Sequence, residues 1–443
     1  MIIIKLKAIK PIKLLIWIGI INLLIVSILV AYSFLHVEKP DAGRDEFYAN
    51  SQSNIPDNQN IAIALAGLNA PAGADMLKHG RFVADTLHKT QSDVDAKKII
   101  AAVGQLGFIG TSDELECWIT STEQYVDEKC ASAERVKLLI AKNKELLARY
   151  KSMYNMPNWR GVSGNGKYVI DINRLISAEI MLDLANGVAD NACIKWRDNH
   201  AFISRVLKQD GTMIERAIFL VVDGINLISL ENILFKSLEI SITHFEELNL
   251  LLKASKLERY NLKGMLRADY TFITDEMSKS IQNLDDAKSL NMDYIKNRLY
   301  RFHFEFLSRA QLPPSTLDSS ISEMGYKYEL SANIFNFDWL NPLQSILANM
   351  LISGQTSGFH LVKSMHSKDA LIKLLNLSIN IRQQKIPEAE MQTFLNNAGS
   401  EYNSPFTNKP MQWDATKKVI YFIEPSSEAR KVAVRLYESP LIQ

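Results

Sequence analysis

Hydrophobic residues are unevenly spread along this chain. The longest apolar run is LLIWIGIINLLIVSILVAYSFL, Leu14 to Leu35, and it carries no charge. At 1.5 Å per residue a helix of that length reaches roughly 33 Å, enough to cross a bilayer core. A stretch rich in Asn, Gln, Asp and Ser follows, and its composition predicts a polar tether over 36–59. From Asn60 onward apolar positions recur mostly at intervals of three and four, the pattern of helices that bury one face. The clearest case is SAERVKLLIAKNKELLARYKSMY, where Val136, Leu139, Ile140, Leu146, Leu147, Tyr150 and Tyr154 form one stripe and Ser132 and Glu134 suit the first turn. Further helices are expected near 171–188, 193–208, 213–236, 238–264, 276–310, 341–353 and 368–383, divided by glycine, Asn-Asp or Pro-Pro signals. AVGQLGFIG, Ala102 to Gly110, reads as a strand or a tight packing segment. Near the C-terminus the period changes, and the alternation in KVIYFIEP and KVAVRLY predicts a β-hairpin.

The expected fold class is therefore mainly α. A cytoplasmic stub (1–13) leads into a transmembrane helix (14–35), a polar tether (36–59), a helical periplasmic domain (60–400) and a C-terminal loop with a β-hairpin (401–443). Charge sets the orientation. Lys5, Lys7, Lys10 and Lys13 precede the span, whereas Glu38, Lys39, Asp41, Arg44, Asp45 and Glu46 make the other flank mixed. The positive-inside rule keeps the stub in the cytoplasm and sends the rest across a bacterial inner membrane into the periplasm. Ala31-Tyr32-Ser33 is a poor small-x-small exit, which favours a signal anchor over a cleaved signal peptide.

With 50 basic and 49 acidic residues the chain has no global field to gather nucleic acid, so no nucleic-acid partner is expected. Cys117 and Cys130 are the disulfide candidate. In an oxidising compartment they would close a loop of about 14 residues, contributing roughly 3 kcal/mol; two free buried cysteines are the alternative. Cys193 is left odd and reads as a small buried hydrophobe.

Candidate chemistry is sparse. GVSGNGKY, Gly161 to Tyr168, begins as a phosphate loop does, and IFLVVDG, Ile218 to Gly224, ends in Asp223 as a Mg²⁺-holding segment does. Tyr168, however, stands where the loop needs a hydroxyl on Mg²⁺, the proline-broken KSMYNMPNWR precedes it where a strand should, and IFLVVDG fits a helix. Neither a nucleotide nor any other cofactor is expected. Gly161-Val162-Ser163-Gly164-Asn165 lacks the last glycine of a nucleophile elbow. The eight histidines show no zinc-ligand spacing. Glu114 with Glu116, and Glu246 with Glu247, could serve acid–base chemistry only if folding brought partners together; no catalytic residue is assigned. In RLYRFHFEF, Tyr300, Phe302, Phe304 and Phe306 are either core residues of a packed helix or a candidate docking surface.

Four segments, NIAIALAGLNAPAG, LLARYKSMY, FDWLNPLQSILANM and SPFTNKPMQWD, resemble uncharacterised single-pass inner-membrane proteins of proteobacteria with a helical periplasmic domain. The resemblance covers scattered parts of the chain and implies topology; it carries no active site. The functional expectation is a non-enzymatic scaffold or positioning factor for an envelope assembly, such as a type VI secretion apparatus or the wall machinery, with periplasmic or envelope proteins as partners. A peptidoglycan-acting enzyme and a periplasmic ligand-binding module are the alternatives.

Overall fold

The computed structural model describes residues 39–49, 55–90, 93–119, 131–161, 166–236, 242–253, 259–282, 291–328, 342–355, 358–424 and 430–436. The stub and the expected transmembrane helix over 14–35 lie outside these residues, as do Cys130 and 162–165 of the glycine-rich loop. The described chain is mostly helical and ends in a small antiparallel sheet, as its periodicity implies. It divides into two compact units. One joins Ala49–Asp275, Arg309–Asp318 and Gly358–Gln443; the other joins Met1–Tyr48, Glu276–Ser308 and Ser319–Ser357.

The first unit is organised by four helices: α1 (Gly166–Ala185), α2 (Ala189–Leu207), α3 (Met213–Lys236) and α4 (Gly358–Gln384). Helix α3 packs against the other three. Contact with three helices explains its largely apolar composition, because most of its faces are buried. Among the described residues α3 is long and apolar enough to cross a membrane, with a mean hydropathy of 1.8, yet 72% of that window is buried within the fold. It lies mid-chain as a core helix, burying Phe219, Leu220, Val222, Leu227, Leu230 and Ile233.

Strands β1 (Gln412–Asp414), β2 (Val419–Glu424) and β3 (Arg430–Arg435) form the sheet in the order β1-β2-β3. The expected hairpin is β2 with β3, where Ile420 faces Val434 and Phe422 faces Val432. β1 adds an antiparallel strand, Trp413 facing Ile420, that three residues without alternation could not announce. β2 and β3 both pack on α4.

Two local departures from the sequence pattern have clear causes. The stripe from Val136 to Tyr154 is not one helix but two, Ala133–Lys142 and Lys144–Ser152, interrupted at Asn143. The Asn143 side chain accepts from the Ile109 amide at 2.9 Å and donates to the Ile109 carbonyl at 2.7 Å, so it holds the passing chain as a strand neighbour would. In AVGQLGFIG, Ala102 ends helix Asp93–Ala102 and the rest is a largely exposed loop, not a strand. The second departure lies in NIAIALAGLNAPAGAD. Helix Ile61–Ala66 is capped by Asn60, whose side chain accepts from Ala62 at 3.1 Å and also exchanges hydrogen bonds with Arg160. This helix crosses Met76–Lys89 at two glycines. A Cβ on Gly67 would lie 1.8 Å from the Met76 carbonyl oxygen, and one on Gly80 would lie 1.9 Å from that of Ile63. The loop between them turns its carbonyls onto buried Arg149, which donates to Ala70 at 2.5 Å, to Pro71 at 2.8 Å and to the Glu145 carboxylate at 2.6 Å. Five N–H donors in a planar fork suit guanidinium to gathering carbonyls that would otherwise be buried unsatisfied.

In the other unit, residues 39–49 of the segment expected to be a polar tether include the short helix Arg44–Tyr48. It lies along helix Met292–Ala310. Asn297 donates to the Lys39 carbonyl at 2.7 Å and accepts from the Asp41 amide at 3.0 Å. Arg301 forms a fork on the Asp41 carboxylate at 2.7 and 2.9 Å. Buried Arg44 reaches Asp293 at 2.8 Å and Asn297 at 2.9 Å. Tyr48 meets His303 Nδ1 at 2.7 Å, and His303 Nε2 meets Gln355 Oε1 at 2.5 Å. A carbonyl oxygen can only accept, so Nε2 carries the proton and Nδ1 accepts from the tyrosine hydroxyl. Burial holds the His303 pKa down to about 4, keeping the ring neutral in this arrangement. Composition hid this strap because its buried side chains include a charged one.

Candidate functional site

The densest polar constellation lies inside the first unit, where three asparagines meet between α1, α2 and α3. Asn173, Asn199 and Asn226 are each almost wholly buried. Asn199 donates to Asn173 Oδ1 at 3.0 Å and to Asn226 Oδ1 at 3.1 Å. Asn173 in turn donates to the Tyr150 hydroxyl at 2.9 Å, and Tyr154 donates to Asn199 Oδ1 at 3.1 Å. On the other side Asn226 Nδ2 stands 3.3 Å from His200 Nδ1, and Trp196 Nε1 donates to the Asn226 carbonyl at 2.7 Å. The His200 ring stacks on Trp196 with centroids 4.6 Å apart. An amide nitrogen facing Nδ1 fixes the neutral tautomer, and burial pushes the His200 pKa down to about 4.

Beyond His200 the polar core ends in an ion pair between Asp223 and Arg259, exposed by only 0% and 2% at their side chains. Arg259 also donates to the Tyr260 hydroxyl at 2.7 Å, with its guanidinium 4.7 Å from the centre of that ring. Gly224 leaves space beside Asp223 that the Lys368 ammonium fills, since a Cβ there would lie 2.0 Å from Nζ. The Asp-Gly pair in IFLVVDG thus has a structural explanation: an aspartate inside a core helix, neutralised by arginine. Burial raises the hydroxyl pKa values of Tyr150 and Tyr260, which stay protonated donors or acceptors. Chemically the constellation is a register device. Each helix contributes one amide that finds its partners only when all three align, and sliding any helix by a turn would leave amides buried without partners.

The other residues singled out by sequence are dispersed. Lys167 is exposed in the first turn of α1. Cys193 is a free buried thiol with its pKa pushed up to about 12 by burial, unsuited to nucleophilic attack. Cys117 belongs to helix Ser112–Ile119, and its pairing with Cys130 falls outside the described residues. Glu114 pairs with Arg135 at 2.8 Å and Glu116 with Arg174 at 3.0 Å. Glu247 pairs with Arg197 at 3.3 Å. The aromatic set in RLYRFHFEF is split by helical geometry: Phe302 and Phe306, four residues apart, point into the core, whereas Phe304 is 59% exposed. Tyr300 is half-buried against Phe47, with ring centroids 5.5 Å apart. The four therefore do not present one surface. Sequence reasoning passed over Asn173, Asn199 and Asn226, although each interrupts an apolar helical stripe, in DINRLIS, DNHAFIS and DGINLIS.

A further carboxylate responds to pH. Asp269 accepts from the Met213 amide at 3.0 Å at the start of α3, beside the Thr212–Glu215 capping pair. Burial pushes its pKa up from 3.8 to about 7, with the Glu215 charge adding to the rise. A folded-state pKa above the unfolded value means that the native state holds the extra proton, so this group's contribution to stability falls as pH rises from about 4 through about 7. Asp269→Asn keeps the acceptor and removes the titration. The urea midpoint of the variant should exceed that of the parent at pH 8 by an amount worth about 2–4 kcal/mol, and the gap should close near pH 4. Parallel pH profiles for the two proteins would contradict this assignment.

Compared with protein families, with curated proteins and with solved structures, the chain finds no match.

Proposed function

We propose that this chain is a non-enzymatic, inner-membrane-anchored periplasmic scaffold or positioning factor for an envelope assembly, such as a secretion apparatus of the type VI kind or the wall-synthesis machinery. The observation that carries this reading is the strap. Lys39 follows the 22-residue apolar segment Leu14–Leu35 by only a few residues, and from Lys39 to Tyr48 the chain is held by Asn297, Arg301, Asp293 and His303. The unit joined to its anchor this way is held close to it, which a slack tether would not do. The polar core supports the same reading, because its amides, neutral histidine and ion pair are engaged in fixing helix register. Partner contact would fall on exposed apolar side chains such as Val94, Ile99 and Val103, along and just beyond helix Asp93–Ala102. Crosslinking in intact cells, read by mass spectrometry, tests this reading: the membrane-embedded chain should be joined to a small, reproducible set of envelope proteins.

A further inference from the structure

We propose that the exposed side of the Met292–Ser308 stretch rests on the lipid–water interface of the membrane that carries the anchor, with Phe304 as the side chain that enters it. This rests on the anchored reading above and adds a surface to it. Chain length supplies the first argument. From Leu35, the last apolar residue of the span, to Lys39 there are four Cα–Cα steps, which reach at most about 15 Å whatever their conformation. Lys39 is itself fixed, since its carbonyl accepts from Asn297 at 2.7 Å. Asn297 is therefore confined to a shell close to the membrane surface. Phe304 lies seven residues further along the same helix, roughly 10 Å by helical rise.

Phe304 is 59% exposed, while its neighbours Phe302 and Phe306 are fully buried. Tyr300, half-buried against Phe47, has its ring 6.1 Å from that of Phe304 one turn away. Between them Arg301 is engaged by Asp41, so its charge already has a counter-ion beside the aromatic pair. Aromatic rings flanked by a paired basic residue suit the headgroup level of a bilayer, where apolar body and polar tip are both accommodated. One ring is a weak anchor alone; the covalent span does the holding, and the ring sets which side of this stretch faces the lipid.

The test uses the full-length chain in its native membrane, with phospholipid phosphate labelled by ³²P and the photocrosslinker p-benzoylphenylalanine placed at Phe304. A second chain carries it at Met350, which is 61% exposed and belongs to the same unit as Phe304. Irradiation should attach labelled lipid at Phe304 severalfold more than at Met350. Equal labelling at both positions, a protein adduct in place of lipid at Phe304, or no adduct in a chain that stays in the alkali-washed membrane pellet would each overturn the interface and leave the anchor standing. Release of the chain by alkali would instead overturn the anchored reading, and the interface with it.

Discussion

Gly80→Ala should destabilise the protein by about 3 kcal/mol or more, the scale of severe core overpacking. The added Cβ would meet the Ile63 carbonyl oxygen at 1.9 Å and the Gly67 amide nitrogen at 3.0 Å. Both are backbone atoms in or beside a short buried helix, so no rotamer change can relieve the contact and the two helices must separate. Gly67→Ala should cost a similar amount, because its Cβ would meet the Met76 carbonyl oxygen at 1.8 Å. The same separation relieves both clashes, so the double variant should lose clearly less than the sum of the singles. Gly107 provides the contrast, since a Cβ there would meet nothing within 4 Å. Gly107→Ala should shift stability by no more than about 0.5 kcal/mol. Urea midpoints for these variants measure the effects; a Gly80→Ala protein that unfolds with the parent would refute the close crossing.

Arg259→Met should be equally damaging for a different reason. It leaves Asp223 without its partner in a site where the side chain has no exposure, and breaking such a pair costs about 3–5 kcal/mol. Asp223→Leu should also destabilise the protein, because it removes the carboxylate that neutralises the buried guanidinium. Removing both charges restores a neutral, apolar contact of similar volume, so the combined variant should recover most of the loss. A double-mutant cycle built on chemical denaturation should give a coupling of at least about 2 kcal/mol. Additive losses would mean that the two charges act independently. They would also remove the structural explanation for the aspartate in IFLVVDG.

How much of this was legible in the sequence depends on what each residue does. The bounds of α3 could be read because it is a long, largely apolar segment, and that needs only local composition. The strands β2 and β3 declared themselves by alternation. Asn143 did not, because its break in the Val136–Tyr154 stripe is made by the distant Ile109 backbone, and no pattern of neighbours encodes that. The strap was hidden for a related reason. Arg44 and Asp41 look like tether residues until Asn297, Asp293 and Arg301 are placed beside them. Phe304 and Phe302 differ by two positions and by almost their whole exposure, a difference that follows once the segment is known to be helical. The unit holding the strap joins three separated stretches, which a reading along the chain does not bring together. The asparagine ladder was visible only as isolated polar residues within apolar helices; their meeting is a property of packing.

We propose that the chain positions envelope proteins from its membrane anchor. Crosslinking of the full-length chain in intact cells, followed by mass spectrometry, tests it most directly. Reproducible crosslinks to a few envelope proteins are expected, with peptides around Val94, Ile99 and Val103 among the attachment sites on this chain. Crosslinks no different from those of an unrelated single-pass protein expressed at the same level would contradict it.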